Sequence, residues 1–225
     1  LGQILTGSVD GVVGFGEPRV GSASFEFDGV QGAIRVPNSP ALNFGTNESF
    51  SLEFWMSIPP DAGNSLAVLG KEEVTGSGRL GFDVTVEQGG LRFRLGDGSD
   101  WKAWGFGNPL GQPGDLRDGK WHHVTIAVQR PDGATISATI DGSSYFGGGV
   151  APLLGSLANG APLRFGEASP GSPEGRFKGR LDEVVIYRQA LTAAQSQSAY
   201  WAGGHGHCRS GRALHRDGQA VSNRT

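Results

Sequence analysis

A short stretch of the chain, from Asp97 to Phe106, combines aromatic and acidic side chains. The residue types that suit a ligand are two tryptophans and two aspartates: Trp101, Trp104, Asp97 and Asp100. Indole rings stack on the apolar C–H faces of sugars, and carboxylates accept hydrogen bonds from sugar hydroxyls. The composition therefore predicts a carbohydrate-binding loop. The alternative is that both indoles lie in a strand around Ala103 and simply pack, since only an exposed aromatic patch marks a site.

Two histidine groups have the residue type of a metal or catalytic site without its geometry. His122 and His123 are adjacent in an alternating stretch, so their side chains should point to opposite faces of a sheet. We expect them to pack and to form hydrogen bonds. His205, His207 and Cys208 are three possible zinc ligands, but a structural zinc site needs four. No nucleophile elbow, phosphate-binding loop or Cys–His pair is present, and the sequence predicts that the protein is not an enzyme.

Alternating strands separated by glycine turns form the frame around these residues. Glycine accounts for 39 of the 225 residues, more than twice its usual share of roughly 7%. It supplies the positive φ angles that tight turns require. One strand face predicted to be buried consists of Phe50, Leu52, Phe54 and Met56. Thr192 can cap a helix over 193–201 that ends at Gly203.

About ten such strands and one late helix predict an all-β fold. The architecture is a two-sheet antiparallel jelly-roll sandwich with one short helix near the C-terminus. The chain length and the helix favour a sandwich over a barrel. Residues 1–204 are predicted to form this β-sandwich domain, in which 1–9 can add an edge strand. Residues 205–225 lose the pattern and are predicted to be a tail or a linker.

Composition and charge narrow the possible partners. The formal net charge is −3 and the isoelectric point is near 6.0, so the chain lacks the basic surface that contacts to nucleic acid phosphates need. No apolar run approaches the roughly 18–20 residues that cross a bilayer.

Cys208 has no second cysteine to pair with in this chain. The chain begins at Leu1, which suggests a removed leader or a segment of a longer polypeptide.

Four groups of residues resemble motifs of laminin-G-like domains, which belong to the concanavalin A-like lectin/glucanase superfamily. They occur in family order and together span roughly residues 10–203. The groups are 24–29 with 34–43, 50–55, 118–124 with 140–142, and 177–187 with 190–192. The resemblance implies a jelly roll of two antiparallel sheets. It also implies an extracellular or cell-surface module that binds sugars or proteins, although one fold hosts many functions.

The resemblance also implies calcium, which in similar sandwiches often fastens the N-terminal segment to the last strand. Calcium prefers oxygen ligands, and the predicted ligands are Asp182, Asp28 and Asp10. Asp182 occupies the matching Leu-Asp-Glu-Val position. The alternative is that Asp182 only accepts hydrogen bonds from turn backbone. Glu167 and Glu174, in a loop rich in glycine, proline and serine, could hold a peripheral calcium, as the equivalent loop does in the related pentraxins.

These observations predict a non-catalytic, calcium-supported carbohydrate-binding or adhesion module that binds a glycan or an extracellular protein. The first alternative is a structural subunit of an extracellular assembly, in which Ile4 and Leu5 pair with a neighbour's sheet edge. The second is a glycoside hydrolase of the same fold. Such relatives carry an E-x-D-x-x-E strand, and the stretch from Asp83 to Glu87 matches it only in part.

Overall fold

The structure is a computed structural model that describes residues 7–75, 78–107, 114–130, 134–150, 153 and 155–203. In these ranges it has fifteen strands, one short 3₁₀ helix (Pro40–Leu42) and one α-helix, α1 (Ala193–Ala202). The strands are β1 (Ser8–Asp10), β2 (Val13–Gly16), β3 (Ser24–Asp28), β4 (Ala33–Val36), β5 (Phe50–Ser57), β6 (Ser65–Thr75), β7 (Gly78–Glu87), β8 (Gly90–Asp97), β9 (Trp101–Phe106), β10 (Trp121–Gln129), β11 (Thr135–Ile140), β12 (Ser143–Gly149), β13 (Leu163–Phe165), β14 (Gly175–Arg176) and β15 (Lys178–Tyr187).

The described strands form two sheets. Sheet A has the order β1-β4-β13-β6-β7-β8-β9, and β14 pairs with β6 beside this path. Sheet B has the order β12-β11-β10-β5-β15-β3-β2. Every pair is antiparallel except β14 with β6. The predicted two-sheet antiparallel sandwich with one helix near the C-terminus is therefore confirmed.

Period-two alternation on each strand produces the core between the sheets. The predicted face of β5 lies in that core, where its four apolar side chains are at most 1% exposed: Phe50, Leu52, Phe54 and Met56. Facing residues from sheet A include Phe82 and Val84 on β7 and Phe93 on β8. Because strand side chains alternate between faces, the remaining positions of β7, β8 and β9 point away from sheet B and form an outer face.

Two-residue turns set the register of two hairpins. Gln88 and Gly89 join β7 to β8 with φ angles of 52° and 84°. Asp141 and Gly142 join β11 to β12 with φ angles of 49° and 78°. Positive φ at both central positions is the type I′ geometry that suits the twist of paired strands. Gly89 has a further constraint, since a Cβ there would lie 2.3 Å from Asp115 Oδ1.

Helix α1 covers the outer face of sheet B and begins as the sequence predicts. The Thr192 hydroxyl accepts a hydrogen bond from the Gln195 backbone N–H, and the Gln195 side chain accepts one from the Thr192 N–H. This capping box stabilises the first turn. At the other end, Tyr200 packs on Trp55 with 6.0 Å between the ring centroids, and the helix stops at Gly203.

The short elements differ from the sequence prediction. Residues 101–106, predicted as a loop, form strand β9, and β12 was not predicted at all. β1 is an edge strand of sheet A, and it overlaps the edge strand predicted over 1–9 only at Ser8 and Val9. Residues 1–6, with Ile4 and Leu5, and residues 204–225, with His205, His207 and Cys208, lie outside the described residues. Within the described ranges, no helix has the length and apolar character needed to cross a membrane.

Candidate functional site

Strand β9 separates the two tryptophans that the sequence pairs in one site. Trp101 is 43% exposed, whereas Trp104 is 8% exposed and packs against Phe93 with 6.3 Å between the ring centroids. The two residues are three positions apart, so their side chains point to opposite faces of the strand. Trp104 is therefore corrected from a ligand-binding residue to a core residue.

Small residues leave the outer face of β9 open beyond Trp101. Ala103 and Gly105 are exposed, and a Cβ built on Gly105 meets no atom within 4 Å. Arg92 of β8 pairs with Gly105 in the sheet, and its side chain is 41% exposed. We call the surface formed by Trp101, Ala103, Gly105 and Arg92 the shelf. Four residues of strand make it about 13 Å long.

A polar cleft lies at the end of the shelf farthest from Trp101. Its volume is about 550 Å³, and it is an open depression rather than an enclosed cavity. Asn64, Glu87, Gln88 and Arg92 are among the residues that line it. Glu87 forms an ion pair with Arg92, with Nε and Oε2 2.7 Å apart. The cleft therefore presents amide and charged groups next to an uncharged floor.

Asp97 and Asp100 build the turn that presents Trp101. Asp97 Oδ1 accepts hydrogen bonds from the backbone N–H groups of Ser99 and Asp100, and Oδ2 accepts one from Gly155. Burial alone would raise the pKa of Asp97, but these hydrogen bonds and one from the Ser99 hydroxyl hold it below its usual value. Asp100 accepts a hydrogen bond from the N–H of Trp101. Ligand contact by either aspartate stays a prediction.

A cluster of charged side chains occupies the outer face of β6, β7 and β8 beside the shelf. We call it the ion cluster, and it consists of Glu72, Arg79, Asp83, Arg94 and Glu174. The segment 166–174, which we call the cover loop, passes over this face and contributes Glu174. The Arg79 guanidinium also lies 5.6 Å from the centre of the Trp101 ring. The ion cluster therefore contacts the shelf through Arg79 and Trp101.

Asp83 and Glu87, the two acids of the partial hydrolase match, are not spaced for glycoside hydrolysis. They lie on the same face of β7, but four residues of strand separate them by about 13 Å. The mechanism needs two carboxyl groups about 5–9.5 Å apart across the scissile bond. Asp83 is 6% exposed and is paired with Arg94, with Nε and Oδ1 2.8 Å apart. These two residues therefore do not form the acid pair of that reaction.

The adjacent histidines point to opposite faces of β10 and have structural partners. His122 lies between Asp141 and Asp118, with N···O distances of 2.7 and 3.0 Å. Burial alone would lower the pKa of His122, but these two aspartates outweigh it and raise the pKa. His123 is fully buried beneath α1 and contacts Glu53 Oε1 at 3.1 Å. Their side chains lie on opposite faces, as the alternation predicts, so the two rings are not placed to share one ion.

The predicted calcium ligands do not come together. Asp182 Oδ2 accepts the backbone N–H groups of Arg19 and Val20, both at 2.9 Å, and Oδ1 accepts that of Glu183 at 2.8 Å. Asp28 and Asp10 have other partners. No group of three His, Cys, Asp or Glu residues that could hold a metal occurs in the part of the chain described by the structure. These donors therefore do not form a calcium cage, and calcium at Asp182 stays a prediction.

The other acidic side chains considered for calcium have partners among backbone N–H groups and arginines. Asp28 Oδ1 accepts three backbone N–H groups of its own turn, while Asp10 pairs with Arg35. Glu167 forms a bidentate contact with Arg35, and burial alone would raise its pKa, but Arg35 and two further arginines lower it. Glu174 pairs with Arg94, with Nη2 and Oε1 2.5 Å apart.

Sequence reasoning missed Arg79, Arg92, Asn64 and the cleft. Asn64 lies in the connection before β6 and Arg92 lies on β8, and no local pattern indicates that they share a cavity. For Arg92 a signal existed. The two-residue turn at Gln88–Gly89 fixes which residues of β7 and β8 are neighbours, and it places Arg92 directly opposite Thr85 and beside Glu87.

Solved structures with a similar fold include two domains that are described as binding domains. The binding domain of botulinum neurotoxin serotype G superposes with a TM-score of 0.69 and 17% identity, over 88% of this chain and 46% of that one. The binding domain of Paraclostridial Mosquitocidal Protein 1 gives 0.66 and 17%, over 87% and 47%. The chain thus spans about half the length of these structures, and at such identity the likeness shows the fold.

Sequence comparisons show the family. A search of curated proteins found no match. The family model described as concanavalin A-like lectin/glucanases superfamily matches residues 28–195, which is about three quarters of the chain. Its span includes both hairpins, the shelf and the ion cluster. The chain therefore belongs to the concanavalin A-like lectin/glucanases superfamily, in its laminin-G-like branch.

Proposed function

We propose that the chain is a non-catalytic carbohydrate-binding module of an extracellular protein, and that its ligand lies on the shelf. The observation that carries the proposal is the position of Trp101, an exposed indole at the head of an uncharged floor that leads to a polar cleft. A sugar chain could stack one ring on the indole and hydrogen-bond its hydroxyl groups in the cleft. An indole with an apolar face and an N–H donor suits contact with a sugar ring and its hydroxyl groups.

The arrangement suits a neutral, extended glycan. Ala103 and Gly105 offer flat, uncharged contact, and the Glu87–Arg92 pair offers both acceptors and donors at one end. Solved structures of similar fold are described as binding domains, which supports recognition over catalysis. We place no calcium on the shelf, because the side chains of its four residues carry no oxygen donor.

A glycan array followed by calorimetry on the strongest ligand tests the proposal. We expect Trp101→Ala to weaken binding by about 5- to 150-fold, since stacking of a ring on an aromatic side chain contributes roughly 1–3 kcal/mol. The matched control is Trp201→Ala, which removes an indole that is 77% exposed on helix α1, over the other sheet. This control should bind like the native protein.

A second variant tests the uncharged part of the shelf, Ala103 and Gly105, separately from the Trp101 indole. Gly105→Leu adds a side chain into open space and leaves the core unchanged, so it should keep the native free energy of unfolding and lose binding. The proposal is wrong if no glycan binds, or if a glycan binds and both Trp101→Ala and Gly105→Leu retain the native affinity.

A structural role in an assembly is the second candidate, and the edge of sheet B favours it. Strand β2 is an edge strand, and its four residues carry no charge. Phe15 is 77% exposed and packs beside Phe25, with 6.0 Å between the ring centroids. Natural edge strands usually carry charges or prolines that prevent pairing with another chain. This edge therefore has the features of a self-association surface.

Light scattering with size-exclusion chromatography tests the assembly role. If β2 associates, the native protein should form oligomers whose mass rises with concentration, and Phe15→Ser should return it to a monomer. Phe146→Ser is the matched control, because Phe146 is 75% exposed on β12 at the opposite edge of the same sheet. A native protein that is monomeric at all concentrations would exclude this candidate.

A further inference from the structure

Lys71 is a buried lysine whose amine is surrounded by neutral oxygens. It pairs with the core residue Phe82 across β6 and β7, so its side chain points into the sandwich, and it is 1% exposed. Its Nζ lies 2.9 Å from both the backbone oxygen and Oδ1 of Asn159, and 3.0 Å from Asn43 Oδ1. All three acceptors are uncharged. Because a buried lysine is rare without a charged partner, the ammonium form is costly in this position.

The surroundings favour the neutral amine of Lys71. Burial lowers its pKa from 10.5 to about 8, the charge of Glu73 opposes this shift, and Arg164 adds to it. About one amine in ten is then neutral at pH 7. A neutral amine is a nucleophile with two N–H groups and one lone pair. The two oxygens of Asn159 can accept both N–H groups, which leaves the lone pair for the carboxamide of Asn43.

Asn43 has the more reactive of the two carboxamides beside the amine. Its Oδ1 also accepts the backbone N–H of Asn159 at 3.3 Å, and a donor at this position stabilises the negative charge that develops when the carbonyl carbon is attacked. The NH₂ group of Asn159, in contrast, is held by three backbone carbonyls, those of Lys71, Leu80 and Leu157, at 3.0–3.4 Å. Loss of that group would leave these carbonyls without their donor.

We propose that Lys71 and Asn43 form an isopeptide bond, which is an amide bond between two side chains of the same chain. The lone pair of Lys71 Nζ forms a bond to Asn43 Cγ, and the bond from Cγ to the NH₂ group breaks with its electron pair. One amine proton passes to the departing NH₂ group, which leaves as ammonia. Glu73 follows Lys71 by two positions on the same face of β6 and its charge acts on the amine, so a carboxylate that can carry the proton belongs to the same site.

Contacts on both sides hold the reacting groups in place. Asn43 follows the short helix Pro40–Leu42, and its backbone carbonyl accepts a hydrogen bond from Arg188 Nη1 at 2.9 Å. On the other side, Glu73 Oε1 accepts the backbone N–H of Gly160 at 2.8 Å, which anchors the loop that carries the neighbouring asparagine. Two groups kept in contact react far faster than the same groups free in solution.

The bond gives the sandwich a covalent link that its cysteine content does not allow. The chain has a single cysteine, so no disulfide can join two of its parts. The isopeptide bond joins the segment before β5 to β6 and closes a loop that contains residues 44–70. A closed loop restricts the unfolded chain and thereby stabilises the fold. This inference does not depend on the proposed glycan site.

The intact mass of the full chain, measured under denaturing conditions after incubation of the folded protein at pH 8, tests the bond. We expect a mass below that of the sequence by one ammonia molecule. Digestion should then release a branched peptide in which Lys71 is joined to Asn43. Lys71→Met keeps the length of the side chain without its amine and should have its full sequence mass. The matched control is Lys120→Met, at a lysine with a 79% exposed side chain, which should lose ammonia like the native protein.

The same measurements separate the isopeptide bond from another loss of ammonia. Asn159 precedes Gly160, and attack of the Gly160 nitrogen on the Asn159 carboxamide would give a succinimide of equal mass. A succinimide persists in Lys71→Met and opens in mild base, whereas the isopeptide bond does neither. A native protein of full sequence mass, a loss of ammonia that Lys71→Met retains, or a link from Lys71 to Asn159 would overturn the proposal. If Lys71→Met folds poorly, the native mass and the branched peptide still decide.

Discussion

Asp182 joins the beginning of the chain to its last strand through hydrogen bonds that use both carboxylate oxygens. It is 8% exposed, and Oδ2 alone accepts two backbone N–H groups. In Asp182→Asn one oxygen becomes an NH₂ group that would face these donors. We expect a loss of about 2–3 kcal/mol in the free energy of unfolding, because buried hydrogen bonds to a charged group are worth about 1.5–3 kcal/mol. Urea denaturation measures it.

Asp28 provides a matched control for that substitution. Its three backbone hydrogen bonds all reach Oδ1, and an asparagine side chain retains one such oxygen. Asp28→Asn should therefore cost much less than Asp182→Asn. Equal losses for the two variants would show that charge, rather than the number of accepting oxygens, determines the contribution of Asp182.

The sequence placed Asp182 on the last strand, which is confirmed, and Trp101 in a loop, whereas Trp101 lies on strand β9. The alternating pattern gives Trp101 an exposed position on that strand, and it buries Trp104 three positions later. Backbone hydrogen bonding was the alternative to calcium that the sequence left open at Asp182. Its partners, Arg19 and Val20, lie more than 160 positions away, so no local pattern could identify them.

At the scale of elements, the hairpin between β7 and β8 shows which side-chain contacts the sequence could have predicted. Its two-residue turn pairs Glu87 with Gly90, and the same register places Asp83 opposite Arg94. The Asp83–Arg94 pair of the ion cluster was therefore implied by the position of Gln88–Gly89. The contact of Glu174 with Arg94 was not, because it forms only after the cover loop folds back over the sheet, and that path depends on the pairing of β14 with β6.

Element type was predicted best where the pattern was long. The eight residues of β5 and the capped helix α1 had unambiguous periodicity or capping signals, and both were predicted correctly. Strand β12, Ser143–Gly149, ends in three consecutive glycines and has no alternation of apolar and polar residues. Its pairing with β11 follows from the Asp141–Gly142 turn, which sets the hairpin even where the strand itself carries no signal.

For the whole molecule, the question is whether the sandwich needs calcium. A bound ion stabilises the folded state by about 2.7 kcal/mol when its concentration is 100 times Kd, which raises Tm by several degrees for a domain of this size. The contact between the N-terminal segment and β15 is already made directly, by the Asp182 carboxylate and two backbone N–H groups. We therefore expect Tm in 1 mM CaCl₂ and in EDTA to agree within about 1 °C. A calcium-dependent rise in Tm that Asp182→Asn removes would instead establish Asp182 as a metal ligand and would require Arg19 and Val20 to exchange their acceptor for the ion.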